Sequence, residues 1–215
     1  MNFGYSEKKI LRLGLIMIAL ALLAMFLAKN HQFVSILLFV IIATFLGTFI
    51  KFHKGQMAEY DVTDELNNLP PEWYYDWDLN FQNRGNIDVA AVGPTGVWAI
   101  EVKSHSGTIS FQDGQLLRNN YPFEKNFIKQ AWAEAYALRD FLTNKLNQNF
   151  KVQPVLLFSN PEARMKFGMK QINGIYIINR KWLLDLVQKN VVQNLDENSI
   201  SLIKSAIKAH TVGQK

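Results

Sequence analysis

Two apolar stretches near the start of the chain constrain it more than any other feature. Residues 10–28 form a 19-residue run broken only by Arg12, and residues 33–50 form an 18-residue run without a charge. As helices rising about 1.5 Å per residue, each reaches roughly 27–28 Å, close to the hydrocarbon thickness of a bilayer. Both are apolar all the way round, which fits lipid better than the one-sided burial of a globular helix. Between them Lys29-Asn30-His31-Gln32 leaves room only for a tight polar turn. The expectation is a transmembrane helical hairpin filling residues 1–54. A cleaved leader would have a shorter apolar core and small residues three and one before the cut, a pattern that Phe26 and Ala28 do not make.

Charge follows the same division. The 215 residues carry 23 Lys and Arg against 18 Asp and Glu, a net of +5, and the pI is near 9.3. Residues 1–54 hold six basic residues and Glu7 alone, so they carry the whole excess; residues 55–215 hold seventeen of each sign. The basic pI is therefore no polyanion-binding signature. Lys8, Lys9 and Arg12 precede the first run, Lys51 and Lys54 follow the second, and the turn has only Lys29. The Lys/Arg bias predicts a two-pass inner-membrane protein with both termini and everything after residue 54 in the cytoplasm. The absence of Cys excludes a disulfide scaffold, a zinc ribbon and a thiol nucleophile.

The remaining residues alternate between helix and strand signals. Residues 55–69 read as an amphipathic helix with Ala58, Val62, Leu66 and Leu69 on one stripe, stopped by Pro70-Pro71. Strands are expected over 73–79, 87–92, 97–103, 108–111, 115–118, 152–158 and 175–178. Helices are expected over 126–146, 181–188 and 197–210. The fold class is α/β, a mixed sheet flanked by helices. Residues 55–160 form the central domain and 161–215 a strand-helix extension packed on it. Charge is segregated here too: 55–101 hold nine acids and one base, 102–215 eight acids and sixteen bases. That suits a metal site beside a phosphate-binding surface, and it also describes clustered surface charge.

The informative segment runs from Gly85 to Lys103. Gly93-Pro94-Thr95-Gly96 is a hairpin turn. With Pro94-Thr95 at its centre, Val92 pairs with Val97, Ala90 with Ala99, and Asp88 stands opposite Glu101. Opposed residues share a face, with Cβ atoms about 4.5–5.5 Å apart. Lys103 shares that face. Ile87, Val89, Ala91, Trp98, Ile100 and Val102 then share the other, which is uniformly apolar; a bulge at Gly96 would mix the faces. Two half-buried carboxylates side by side repel, and a divalent cation removes the conflict. Two carboxylates with waters and a phosphate is how Mg²⁺ is commonly held. The same spacing also permits a plain salt bridge of Lys103 with either acid.

Asp88 followed by Glu101-Val102-Lys103 on a hairpin resembles the motif of the PD-(D/E)xK nuclease superfamily. More narrowly, three stretches resemble the nuclease-related domain, NERD: Gly55-Gln56-Met57-Ala58-Glu59-Tyr60-Asp61-Val62; the block from Asn86-Ile87-Asp88 through Val92-Gly93-Pro94-Thr95-Gly96-Val97 to Ile100-Glu101-Val102-Lys103; and Lys129-Gln130-Ala131. The resemblance covers about residues 55–160 and is specific through the central block. It implies a restriction-endonuclease-like fold, with Glu59, Asp88, Glu101, Lys103 and Gln130 as the active-site set. Asp88 and Glu101 would be the metal ligands, with Mg²⁺ or Mn²⁺ as cofactor. Ile87 stands where the superfamily name has Pro. Tyr136 lies six residues after Gln130, off the spacing some relatives use, and no role is carried over to it.

The residues leave alternatives beside this. Glu59 lies at the edge of its helix's buried stripe, and Glu65 lies nearer the centre. Gln130 shares a face with Ala133 and Ala137, turned to the site or to solvent. His105 reads as a second base or a plain loop residue. Arg164, Lys166 and Lys170 read as a phosphate contact or a solvated loop. Trp73, Tyr74, Tyr75 and Trp77 read as core and sheet surface or as a base-stacking face. The functional expectation is a membrane-anchored, cytoplasm-facing, metal-dependent nuclease. Its partners would be a nucleic-acid substrate (DNA or RNA) and the lipid bilayer through residues 10–50. The competing expectation is a catalytically idle nuclease-like module that binds nucleic acid or a protein at the membrane.

Overall fold

A computed structural model of the chain describes residues 5–27, 32–81 and 85–213, with side chains for 11–26, 33–50, 60–81 and 85–213. The chain divides into two compact units, Met1–Tyr60 and Asp61–Lys215.

The first unit contains α1 (Tyr5–Leu27) and most of α2 (Gln32–Leu66). The Ser35 hydroxyl donates to the Ala24 carbonyl at 3.1 Å, and both residues are buried where the helices meet. Leu11, Leu22 and Phe26 of α1 and Leu37, Phe39 and Val40 of α2 are exposed. Among the described residues one helical segment, Phe33–Ile50, is long and apolar enough to cross a membrane, with a mean hydropathy of 2.7. Leu11–Phe26 is apolar but shorter. The helix expected over 55–69 is the continuation of α2 and ends at Leu66. No proline interrupts α2, and Pro70-Pro71 follows its end.

The second unit is built on a six-stranded mixed sheet. Its meander is β1 (Tyr74–Phe81), β2 (Gly85–Gly93) and β3 (Gly96–Lys103). The chain then forms β4 (Gly107–Gln112), β5 (Gln115–Arg118), β6 (Tyr121–Pro122) and α3 (Phe127–Leu146) before re-entering the sheet as β7 (Val152–Phe158). After β8 (Ala163–Met165) and β9 (Gln171–Ile172) comes β10 (Ile175–Asn179), then α4 (Leu183–Lys189) and α5 (Glu197–Val212). The sheet order is β1-β2-β3-β7-β10-β9, with β3, β7 and β10 parallel. Strands β6, β5, β4 and β8 form a second, smaller sheet. Residues after 160 thus supply two strands of the main sheet, one strand of the smaller sheet, and a helix to each face of the main sheet.

The hairpin register is the one the apolar pattern predicts: Val92 pairs with Val97, Ala90 with Ala99 and Val89 with Ile100. Gly96 fixes it locally. Its φ is +135°, and a Cβ there would lie 2.9 Å from that of Val192. The Thr95 carbonyl accepts from the N–H groups of Val192 and Gln193, which packs this loop over the turn.

Each face of the sheet has its own cover. Val89, Ala91, Trp98 and Ile100 pack with Leu183, Leu186 and Val187 of α4 and with Val62 and Leu66 at the end of α2. Ala90, Val92, Val97 and Ala99 lie under Leu138 and Leu142 of α3 and Ile203 and Ile207 of α5. Small residues on the strands let α3 sit close, and each fully buried leucine contributes roughly 1.5–3 kcal/mol. Asn126 caps α3 through the Lys129 N–H at 2.9 Å. Ile87 departs from the expected grouping and packs with Leu79 and Phe81 in the α3 and α5 cluster. Asp78, with φ +55° between the Trp77–Val89 and Leu79–Ile87 pairs, breaks the alternation of β1 at that point.

Candidate active site

Beyond the last backbone pair of the hairpin, Val89 with Ile100, the same register brings Asp88 to Glu101. Asp88 Oδ2 accepts a hydrogen bond from the Val102 N–H at 2.8 Å, which pins the carboxylate across the two strands. Glu101 is only 1% exposed, and its Oε1 accepts from the Lys103 ammonium and from Gln130 Nε2, the latter at 2.7 Å. The Lys103 ammonium also lies 4.8 Å from the centre of the Phe127 ring. The acids lie on the face that α3 covers, so the first two turns of that helix reach them. Gln130 is therefore turned to the site and not to solvent.

One member of the cluster is absent from the sequence-based set. Glu134, one turn after Gln130, is 3% exposed, and its Oε1 accepts from the same Gln130 Nε2 at 3.0 Å. The signal for it was present: Glu134 lies three residues after Ala131 and four before Leu138, both in the buried stripe of α3. An acid there has little access to water.

The electrostatics follow from this packing. Burial pushes the Asp88 carboxyl up to about 7, helped by the charge of Glu101 and opposed by the Val102 N–H. Burial and then the hydrogen bond and charge of Glu101 push Glu134 up to about 10. Of these acids, Glu101 is paired with Lys103, and the charge of Lys103 opposes the rise of Asp88.

The donor chemistry fits a divalent cation. Glu101 Oε2 and Glu134 Oε2 are buried without a hydrogen-bond partner. Such atoms are costly in a low-dielectric interior unless a proton or a metal satisfies them. Carboxylate oxygens are the donors that Mg²⁺ and Mn²⁺ prefer. Among the described residues, no group of three or more acidic or histidine side chains forms a ready-made metal cage.

The remaining expected residues fall elsewhere. The side chain of Glu59 lies outside the described residues. Glu65 is half-buried on α2. His105 sits in an aromatic box, 5.2 Å from Phe123 and 5.6 Å from Phe127 between ring centres, with its Nδ1 buried and unpartnered. Burial lowers its pKa, with Arg118 and Lys103 adding to the effect. Arg164, Lys166 and Lys170 are exposed. Trp73, Tyr75 and Trp77 pack against the α4 side of the sheet and Tyr74 against the other. Tyr136 is stacked on Trp132 and lies under Arg139, on another side of α3.

No curated protein and no solved structure matches this chain. Residues 54–159, the stretch that carries Asp88, Glu101, Lys103, Gln130 and Glu134, match the family model of the nuclease-related domain, NERD, so the chain contains a nuclease-related domain.

Proposed function

We propose that this protein is a membrane-anchored, cytoplasm-facing nuclease that hydrolyses phosphodiester bonds in DNA or RNA with Mg²⁺ or Mn²⁺. The observation that carries the reading is the meeting of Asp88, Glu101 and Lys103 at the end of the β2–β3 hairpin inside a nuclease-related domain. The likeness of this motif to the PD-(D/E)xK superfamily supports the same reading.

The residues divide the work. Asp88 and Glu101 would hold the cation. The bound ion would polarise a phosphoryl oxygen and lower the pKa of a coordinated water. Lys103, two residues after Glu101, would hold the attacking water by a hydrogen bond or neutralise the charge that develops on phosphate. Gln130 fixes Glu101 Oε1 by a hydrogen bond and so holds the carboxylate in one rotamer. Glu59 assists the metal or the water in this scheme.

The anchor is a two-pass hairpin over residues 10–28 and 33–50, with both termini in the cytoplasm. The apolar character of Phe33–Ile50 and the outward-facing Leu, Phe and Val side chains of α1 and α2 support it. The Lys/Arg bias of the flanks supports the orientation.

One observation favours a catalytically idle, nucleic-acid- or protein-binding module instead: the Lys103 ammonium is engaged by Glu101. The test is cleavage of DNA and RNA by the full chain in detergent micelles with Mg²⁺ or Mn²⁺. Activity that is lost in Asp88→Ala and Glu101→Ala supports the nuclease. Nucleic-acid binding without cleavage under any metal supports the idle module.

A further inference from the structure

Gln130 and Glu101 were expected at this site; Glu134 was not, and its surroundings are unusual for an acid. It is 3% exposed, it forms no ion pair with a basic residue among the described residues, and its Oε2 is buried with no donor beside it. The Gln130 Nε2 group donates to both Glu101 Oε1 and Glu134 Oε1. That shared donor brings the two carboxylates together, and each is left with a bare, buried Oε2. An ordinary core would fill this place with an apolar residue or supply a second base.

We propose that Glu134 is a metal ligand: its Oε2 and Glu101 Oε2 hold a divalent cation between them. The inference rests on the metal-dependent reading above and deepens it, since it assigns to α3 a carboxylate ligand beyond the hairpin pair. Two carboxylates completed by waters suit the coordination of Mg²⁺ or Mn²⁺. Lys103 and Gln130 occupy Oε1 of Glu101, so Oε2 is the oxygen free to ligate. Gln130 is then a positioning residue that orients both ligands through one amide.

The rival to a cation is a proton shared by the two carboxyls. Glu134→Gln separates the two cases, because the amide keeps the shape and a hydrogen-bond donor but removes the anionic ligand. The measurement is Mn²⁺ affinity of the full chain in detergent micelles, by titration calorimetry and by the electron paramagnetic resonance of free Mn²⁺. Wild type, Asp88→Asn, Glu134→Gln and Glu134→Asp are compared, with circular dichroism as the check on folding.

The proposal expects Mn²⁺ binding at least about tenfold weaker in Glu134→Gln. It expects part of that loss to be recovered in Glu134→Asp, which keeps the charge with a shorter reach. Wild-type affinity in a folded Glu134→Gln, alongside weakened binding in Asp88→Asn, overturns the role of Glu134 and leaves the hairpin site standing. Glu134→Asp binding no better than Glu134→Gln also overturns it. No Mn²⁺ binding by wild type overturns the metal-dependent reading itself and this inference with it.

Discussion

The Asp88 carboxylate is held by the backbone of Val102, with Oδ2 accepting from the N–H at 2.8 Å across the hairpin. This bond continues the strand pairing by other means: a side chain takes the place of the next backbone acceptor. It also aims Asp88 at Glu101, the residue before Val102. A structural contact and the proposed ligand position thus reside in one side chain, and two substitutions separate them.

Asp88→Asn keeps an oxygen that can accept from Val102 and removes the negative charge. It is expected to abolish cleavage while leaving the melting temperature equal to or above that of metal-free wild type. Asp88→Ala removes the acceptor as well and leaves a buried N–H unpaired, which costs about 1–3 kcal/mol. A urea melt of the two variants should place Asp88→Ala below Asp88→Asn.

The raised acids make metal-free stability fall with pH. The Asp88 carboxyl moves from an ordinary 3.8 up to about 7 on folding, so the folded chain binds the proton more tightly. Its contribution is full below about pH 4 and is lost as pH rises toward about 7. Glu134 extends the loss toward pH 10. The second unit's melting temperature in a chelator should therefore be lower at pH 8 than at pH 5. Asp88→Asn should flatten the part between pH 4 and 7, and Mg²⁺ should restore more stability at pH 8 than at pH 5.

Gly96→Ala tests the turn that sets the register. The backbone is left-handed at φ +135°, and the new Cβ would meet Val192 Cβ at 2.9 Å. A loss of roughly 2 kcal/mol or more is expected in denaturant unfolding, from strain and contact together. Gly114→Ala, at φ +77° with nothing within 4 Å of a new Cβ, carries the strain without the clash and should cost less.

The hairpin topology is testable because the chain has no cysteine. A single Cys at Asn30 should react with a membrane-impermeant thiol reagent in intact cells. A single Cys at Gly213 should react only after lysis. Labelling of both or neither in intact cells contradicts the two-pass arrangement with cytoplasmic ends.

The legible parts of this protein were those where pattern and chemistry coincide. The β2–β3 register could be read because one face is uniformly apolar and a one-residue slip would mix the faces. Strands 108–111 and 115–118 could be read because Asp113-Gly114 between them is a turn pair, and both residues have positive φ in the β4–β5 hairpin. The two-residue strands β6 and β9 carry no periodic signal, and the parallel pairing of β4 with β8 joins segments some fifty residues apart. Ile87 was misassigned because the bend at Asp78 leaves no mark in the alternation of β2 itself. Glu134 was missed because an acid beside a buried helical stripe looks like a surface residue until the strand beneath it is known to carry another acid.

The central claim is that Asp88 and Glu101 hold a metal that cleaves phosphodiesters. The most direct measurement is the rate of Mg²⁺-dependent cleavage of a labelled oligonucleotide by the full chain in micelles, with wild type beside Asp88→Asn and Glu101→Gln. The account predicts cleavage by wild type, abolished by chelation, and a loss of about a thousandfold or more in each folded variant. Cleavage at the wild-type rate by either variant would contradict it.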